Sequence, residues 1–251
     1  DNMLLLLGAL HTIAFQAAAV TRATPRGTLP FHLRGGATEG SVVSYATEAA
    51  ALFANMGGAA AFLAGGMVPL STFAGPKPAP SDSPAVAKIK RVHAIVASSS
   101  LLSLLTSVMY ATISNNKLRE TVVGPTASVK ALLVGEYALQ WVGCNAHFIM
   151  GLYGFATAVG INVWLNFGAS MGKASACGAS AALLLMLSIV NDAVSQRSQP
   201  DLSIGGSVFS LLIRYFVLLV QSMVAGRRAL VFLSMCLGIS AVYLAARAVT
   251  E

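Results

Sequence analysis

Between residues 46 and 247 the apolar positions come in long runs, not in strict alternation, and short polar or proline-rich stretches separate the runs. A helix needs about 20 apolar residues to cross the hydrocarbon core, so the runs can be counted as crossings. Residues 46–71 form the first and end at "FAGPKPAPSDSP", in a region where five prolines between Pro69 and Pro84 forbid continued helix. The pattern therefore predicts an exposed loop over 72–87. The second crossing, 91–114, opens behind Lys88, Lys90 and Arg91 at the headgroups and closes at the polar, asparagine-rich "SNNKLRE".

Residues 127–168 are too many for one crossing, because 42 residues of helix reach roughly 60 Å, about twice the hydrocarbon thickness. We expect one long helix whose first turns project at the interface, the alternative being a surface helix over 127–142 followed by a span over 145–167. Trp141 and Trp164 are the candidate interfacial belt residues, one for each boundary. Further crossings are expected at 174–194 and 229–247, after a short turn near 168–173. The segment 205–225, with Ser203 just before it, carries Ser207, Ser210, Arg214 and Gln221 at helical spacing, which suits a helix lying in the interface slightly better than one crossing. If it crosses, Arg214 needs a partner, and Asp192 or a lipid phosphate is the expectation. The predicted fold class is all-α, a multi-pass integral membrane helical bundle of about five spans (range four to six), with 37–251 as its transmembrane domain.

Composition agrees. Of 251 residues, 56% are hydrophobic and only 10% charged, and the mean hydropathy is +0.73, against about 25% charge in soluble domains. The net charge of +7 reads as interfacial lysines and arginines. No basic run with interleaved aromatics is present, which argues against nucleic acid as a partner. Cys144, Cys177 and Cys236 lie in apolar segments without CxxC spacing and are expected to be inert thiols. No HExxH, GxSxG, phosphate-cradling GxxxxGK[ST] or paired-carboxylate arrangement occurs, so an enzyme is not expected.

The stretch "GEYALQWVGCNAHFIMGLYGF" raises the main chemical question. Glu136, Gln140, Cys144, His147 and Gly151 recur at intervals of four, four, three and four, and Gly154 and Ala158 continue the face. A charge at the bilayer centre costs about 2.5–3.5 kcal/mol even on a lenient scale, so this stripe should face protein, a bound molecule or water. Three readings stand. Asn145 and His147 can hydrogen-bond between helices, with Glu136 at the interface. His147 and His93, with Glu136 and Asn145 beside them, are candidate ligands for chlorophyll magnesium, carotenoid being a companion pigment. Glu136, Asp192 and Arg214 can line a route for ions or protons.

Residues 1–36 open with the apolar run "MLLLLGAL" and turn basic and hydroxylated. From Ala14 to Gly36 there are Arg22, Arg26, Arg34, Thr21, Thr24 and Thr28 and no acid, a targeting composition. With Phe15 following a small residue in "IAFQA", this segment resembles the two-part presequence of nuclear-encoded plastid membrane proteins in algae with complex red-derived plastids. The section from Lys88 to Phe167, with "RVHAIVASSSLLSLL" and "AVGINVWLNF", is similar to multi-pass proteins of diatoms and their relatives. The resemblance implies a plastid compartment. The alternative is a retained N-terminal membrane or interfacial helix over residues 3–20. The expected function is that of a non-catalytic accessory subunit of an organellar membrane complex, a thylakoid photosynthetic complex with photosystem I preferred. Its partners would be other membrane subunits and lipids. A small-solute or ion transporter and a mitochondrial inner-membrane subunit are the alternatives.

Overall fold

The computed structural model describes residues 44–70, 76–195, 208–224 and 229–250; the targeting segment expected at 1–36 lies outside them. Helix α1 spans Ala46–Met67 and tightens into a 3-10 turn at Val68–Leu70, where Pro69 follows. Helix α2 spans Pro84–Glu120. Its start is set by proline at the first helical position, and the Ser83 hydroxyl accepts the Val86 amide at 3.4 Å. Helix α3 is short, Val129–Val134, and α4 covers Ala138–Ser195 with a break at Gly168. Helices α5 (Val208–Val224) and α6 (Ala229–Thr250) complete the set among the described residues. Among the described residues, five segments are long and apolar enough to cross a membrane: Ala46–Met67, Pro84–Glu120, Ala138–Gly168, Ser170–Ser188 and Leu230–Val249. The all-α multi-pass architecture is therefore as the hydropathy pattern predicts.

Three boundaries differ from expectation. Helix α2 does not end at "SNNKLRE" but runs through it. That stretch contains neither glycine nor proline, Arg119 donates to the Asn115 side chain at 3.2 Å, and the Lys117 ammonium lies 5.2 Å from the centroid of the Tyr137 ring. The helix stops at Thr121, ahead of Gly124 and Pro125. The long helix expected over 127–168 is broken at residues 135–137, which form a turn between α3 and α4. The break lets Leu132, Leu133 and Tyr137 enter a cluster with Ala49, Ala50 and Phe53 of α1, burial that a straight helix would forgo. The span expected over 174–194 begins earlier, at Ser170.

Helices α1 and α2 run antiparallel. Ala49, Ala50 and Phe53 meet Ala111 and Leu118 at one end, while Ala60, Ala64 and Met67 meet Ala97 and Leu104 toward the other. The first limb of α4 returns along α2, also antiparallel, with Cys144 at Ser107 and Gly154 at Ser100. At Gly168 the chain takes φ 80 and ψ −178, a region open to glycine. It then folds back, so that Ala179 of the second limb packs 3.4 Å from where a β-carbon on Gly160 would sit. Trp141 and Trp164 lie 23 residues apart on the first limb. At 1.5 Å per residue that is about 34 Å, close to the roughly 30 Å core, and places one indole near each boundary.

The last turns of α6 reach the start of α2: Arg91 Nη1 donates to the Ala248 carbonyl at 3.2 Å, beside Val92, Ile95 and Val96. The start of α2 and the end of α6 thus share one end of the bundle. Five crossings satisfy that relation with α5 adding none. At 17 described residues, α5 is about 26 Å long, at the lower end of what a crossing needs.

Candidate functional site

The contact face between α2 and α4 is built from small residues. Ser100, Ser103, Ser107, Ala111 and Ser114 of α2 are buried, Gly143, Cys144, Gly151 and Ala158 of α4 are buried as well, and Gly154 is half-buried. A β-carbon on Gly151 would lie 2.5 Å from Leu104 Cγ, and one on Gly154 would lie 2.6 Å from Ser100 Cβ. Lipid tails give apolar helices no hydrophobic reason to associate, so such close approach is what holds them. The Ser107 hydroxyl donates to the Cys144 carbonyl at 2.9 Å and the Ser100 hydroxyl donates to the Gly151 carbonyl. Both bonds join the two helices at buried depth, where an unmade bond is costly.

His147 sits on the edge of this face, where α5 arrives. Its Nε2 lies 2.9 Å from the Tyr215 hydroxyl, which is 3.2 Å from the Tyr110 hydroxyl. The His147 and Tyr215 rings meet edge to face at 5.2 Å between centroids, and Tyr110 stacks on His147 at 6.1 Å. One histidine and two tyrosines from α2, α4 and α5 thus form a polar knot between otherwise apolar helices. The Tyr215 ring also fills the space over Gly143. His147 Nδ1 is buried and has no hydrogen-bond partner.

The other site residues named from sequence lie apart from this knot. His93 is 1% exposed, with Nε2 unpartnered. Asn145 donates to the Trp141 carbonyl of its own helix at 2.7 Å. Glu136 is exposed in the turn before α4, so it leaves the helical stripe it was expected to begin. Arg214 is half-buried on α5, with no carboxylate within ion-pair reach among the described residues; the side chain of Asp192 lies outside them. No group of three metal-ligating side chains occurs among the described residues.

Chlorophyll magnesium would need an open axial place over an imidazole nitrogen. The Tyr215 hydroxyl occupies that direction at His147 Nε2, and the unpartnered nitrogens, His147 Nδ1 and His93 Nε2, are both buried among packed side chains. These imidazoles, as arranged, do not fit a chlorin. The knot was half legible: the spacing turned His147 away from lipid, but nothing local linked it to Tyr215, 68 residues away.

A second feature is a groove of about 620 Å³ between the start of α2 and the two limbs of α4, walled by Val92, Ile161, Trp164, Ala179 and Leu183, with Lys88 at its rim. Its volume falls within the roughly 300–1,000 Å³ of small-molecule sites. Neither Glu136 nor Arg214 lines it. No family model, curated protein or solved structure matches the chain.

Proposed function

We propose that the protein is a non-catalytic accessory subunit of an organellar membrane complex, contributing a helical surface against which other subunits and lipids pack. The observation carrying this reading is the contrast between its inner and outer faces. Inside, the serine hydroxyls that cross between α2 and α4 are spent on backbone carbonyls. Outside, α6 exposes Leu230, Phe232, Leu237 and Val242, and the second limb of α4 exposes Leu184 and Leu185. Helices so little covered by their own chain offer apolar area to lipid and to neighbours.

The plastid, and within it a thylakoid photosynthetic complex with photosystem I ahead of photosystem II, is the proposed setting. Its support is the presequence-like composition of residues 1–36 together with the resemblance over Lys88–Phe167. Chlorophyll and carotenoid contacts in that assembly would run over the outer helix faces and not through His147 or His93. A transporter would need a polar route at Glu136, Asp192 or Arg214. The groove avoids Glu136 and Arg214, which supports the accessory reading at those two residues, and the Asp192 side chain lies outside the described residues.

The test is solubilisation of the native membrane in mild detergent followed by sizing of the particles. The protein should migrate with chlorophyll-protein particles, and recovery as a pigment-free monomer overturns the photosynthetic reading. Imaging of a tagged full-length chain separates a plastid from a mitochondrial address.

A further inference from the structure

We propose that the groove between α2 and the two limbs of α4 is a binding site for one anionic membrane lipid, an acyl chain lying in the groove and the acidic headgroup at its rim. The walls are largely apolar, and the groove lies between three helical segments long and apolar enough to cross a membrane. An acyl chain is the occupant that this solvent supplies.

The rim supplies the charge selection. Lys88, Lys90 and Arg91 open α2, and Lys173 opens the second limb of α4. They are not equally available. Lys90 is held by Asp82 at 2.8 Å, and Arg91 donates to the Ala248 carbonyl at 3.2 Å. Lys88 and Lys173 are exposed, and neither has a hydrogen-bond or ion-pair partner among the described residues. Lys88 lines the groove directly. Lys173 stands three residues before Ala176 and seven before Ser180, both lining residues, and so continues their face of the helix one turn toward the boundary. Trp164, on the opposite wall, is at that same boundary and suits the headgroup level. An apolar slot ending beneath two unpaired ammonium groups complements one acyl chain under one anionic head. A zwitterionic lipid would bring its own cation to the same rim.

The test uses the full chain reconstituted in nanodiscs of phosphatidylcholine with a minor fraction of labelled phosphatidylglycerol or labelled phosphatidylcholine. Lipid retained by the protein is then read by native mass spectrometry. Phosphatidylglycerol should be retained over phosphatidylcholine by about fivefold per lysine, the factor equivalent to roughly 1 kcal/mol for each basic residue at an anionic surface. Lys88→Gln with Lys173→Gln should remove that preference, and Lys90→Gln, which breaks a pair instead, should leave it. Ser180→Phe, at an exposed lining position, should lower retention of both lipids while the helical signal is kept; if that variant fails to fold, the lysine pair decides alone. Equal retention of the two lipids by the unaltered chain overturns the proposal. So does a preference that survives the double lysine change, or a folded Ser180→Phe protein that retains lipid as before.

Discussion

The hydroxyl of Tyr215 lies 2.9 Å from Nε2 of His147, and this bond ties α5 to the α2–α4 pair. Side-chain hydrogen bonds between membrane helices are worth about 0.6 kcal/mol on average and about 1.7 at most. Tyr215→Phe keeps the ring over Gly143 and removes only the hydroxyl, with its bonds to His147 and to Tyr110. Hydrogen exchange should therefore rise across 208–224 and stay unchanged in α2 and in the first limb of α4. Uniform exchange in the variant and the parent would mean that ring packing alone docks α5.

The glycines facing α2 are needed for their lack of a side chain. Gly151→Ala would bring a β-carbon to 2.5 Å from Leu104 Cγ and 2.7 Å from Cδ2. Overpacking of this kind costs about 1–3 kcal/mol, so the midpoint of unfolding in dodecyl sulfate should fall. Gly178→Ala meets nothing within 4 Å and should leave the midpoint level or slightly raised through better helix propensity. An equal response at both positions would remove close packing as the cause.

The reversal at Gly168 can be tested by covalent trapping. A β-carbon on Gly160 would lie 3.4 Å from that of Ala179, near the roughly 3.5–4.5 Å of disulfides. A Gly160→Cys/Ala179→Cys protein should crosslink quickly under copper phenanthroline. Adding Gly168→Leu forces a side chain onto φ 80, at a cost of about 1–3 kcal/mol, and should slow the reaction. Failure of the parent pair to crosslink would contradict the hairpin.

Asp82, in the loop before α2, accepts from Lys90 Nζ at 2.8 and 3.0 Å and from the Ala79 amide at 2.7 Å. The lysine first, then the amide, hold its carboxyl below the usual carboxylate range. The folded value is thus the lower one. The contribution of the clip is complete above the unfolded value of about 3.9 and is lost as pH falls through the folded value. The Ala79 amide shift, followed by nuclear magnetic resonance, should titrate with a midpoint under 3.9, and Asp82→Asn should abolish that titration. A midpoint at or above the ordinary value would show that the loop is not clipped.

Much of the architecture was legible because lipid demands long apolar helices whatever the details of packing, and Pro69 to Pro84 punctuate the chain plainly. The break at 135–137 was not, since "KALLVGEYALQW" keeps a helical rhythm throughout. It arises from a distant event, the insertion of Leu132, Leu133 and Tyr137 beneath α1. The reverse error occurred at 114–120, where polar residues read as a stop although neighbouring side chains satisfy one another on a continuing helix. Of the site, the inward orientation of Cys144, His147 and Gly151 followed from spacing alone. Glu136 was misassigned to that stripe because its membership depended on an unbroken helix.

The tightness of the turn at Gly168 has a consequence for the surface it occupies. With helix resuming at Ser170, almost no tether separates the two limbs, and a protease sampling that surface would find no extended strand between them to grip.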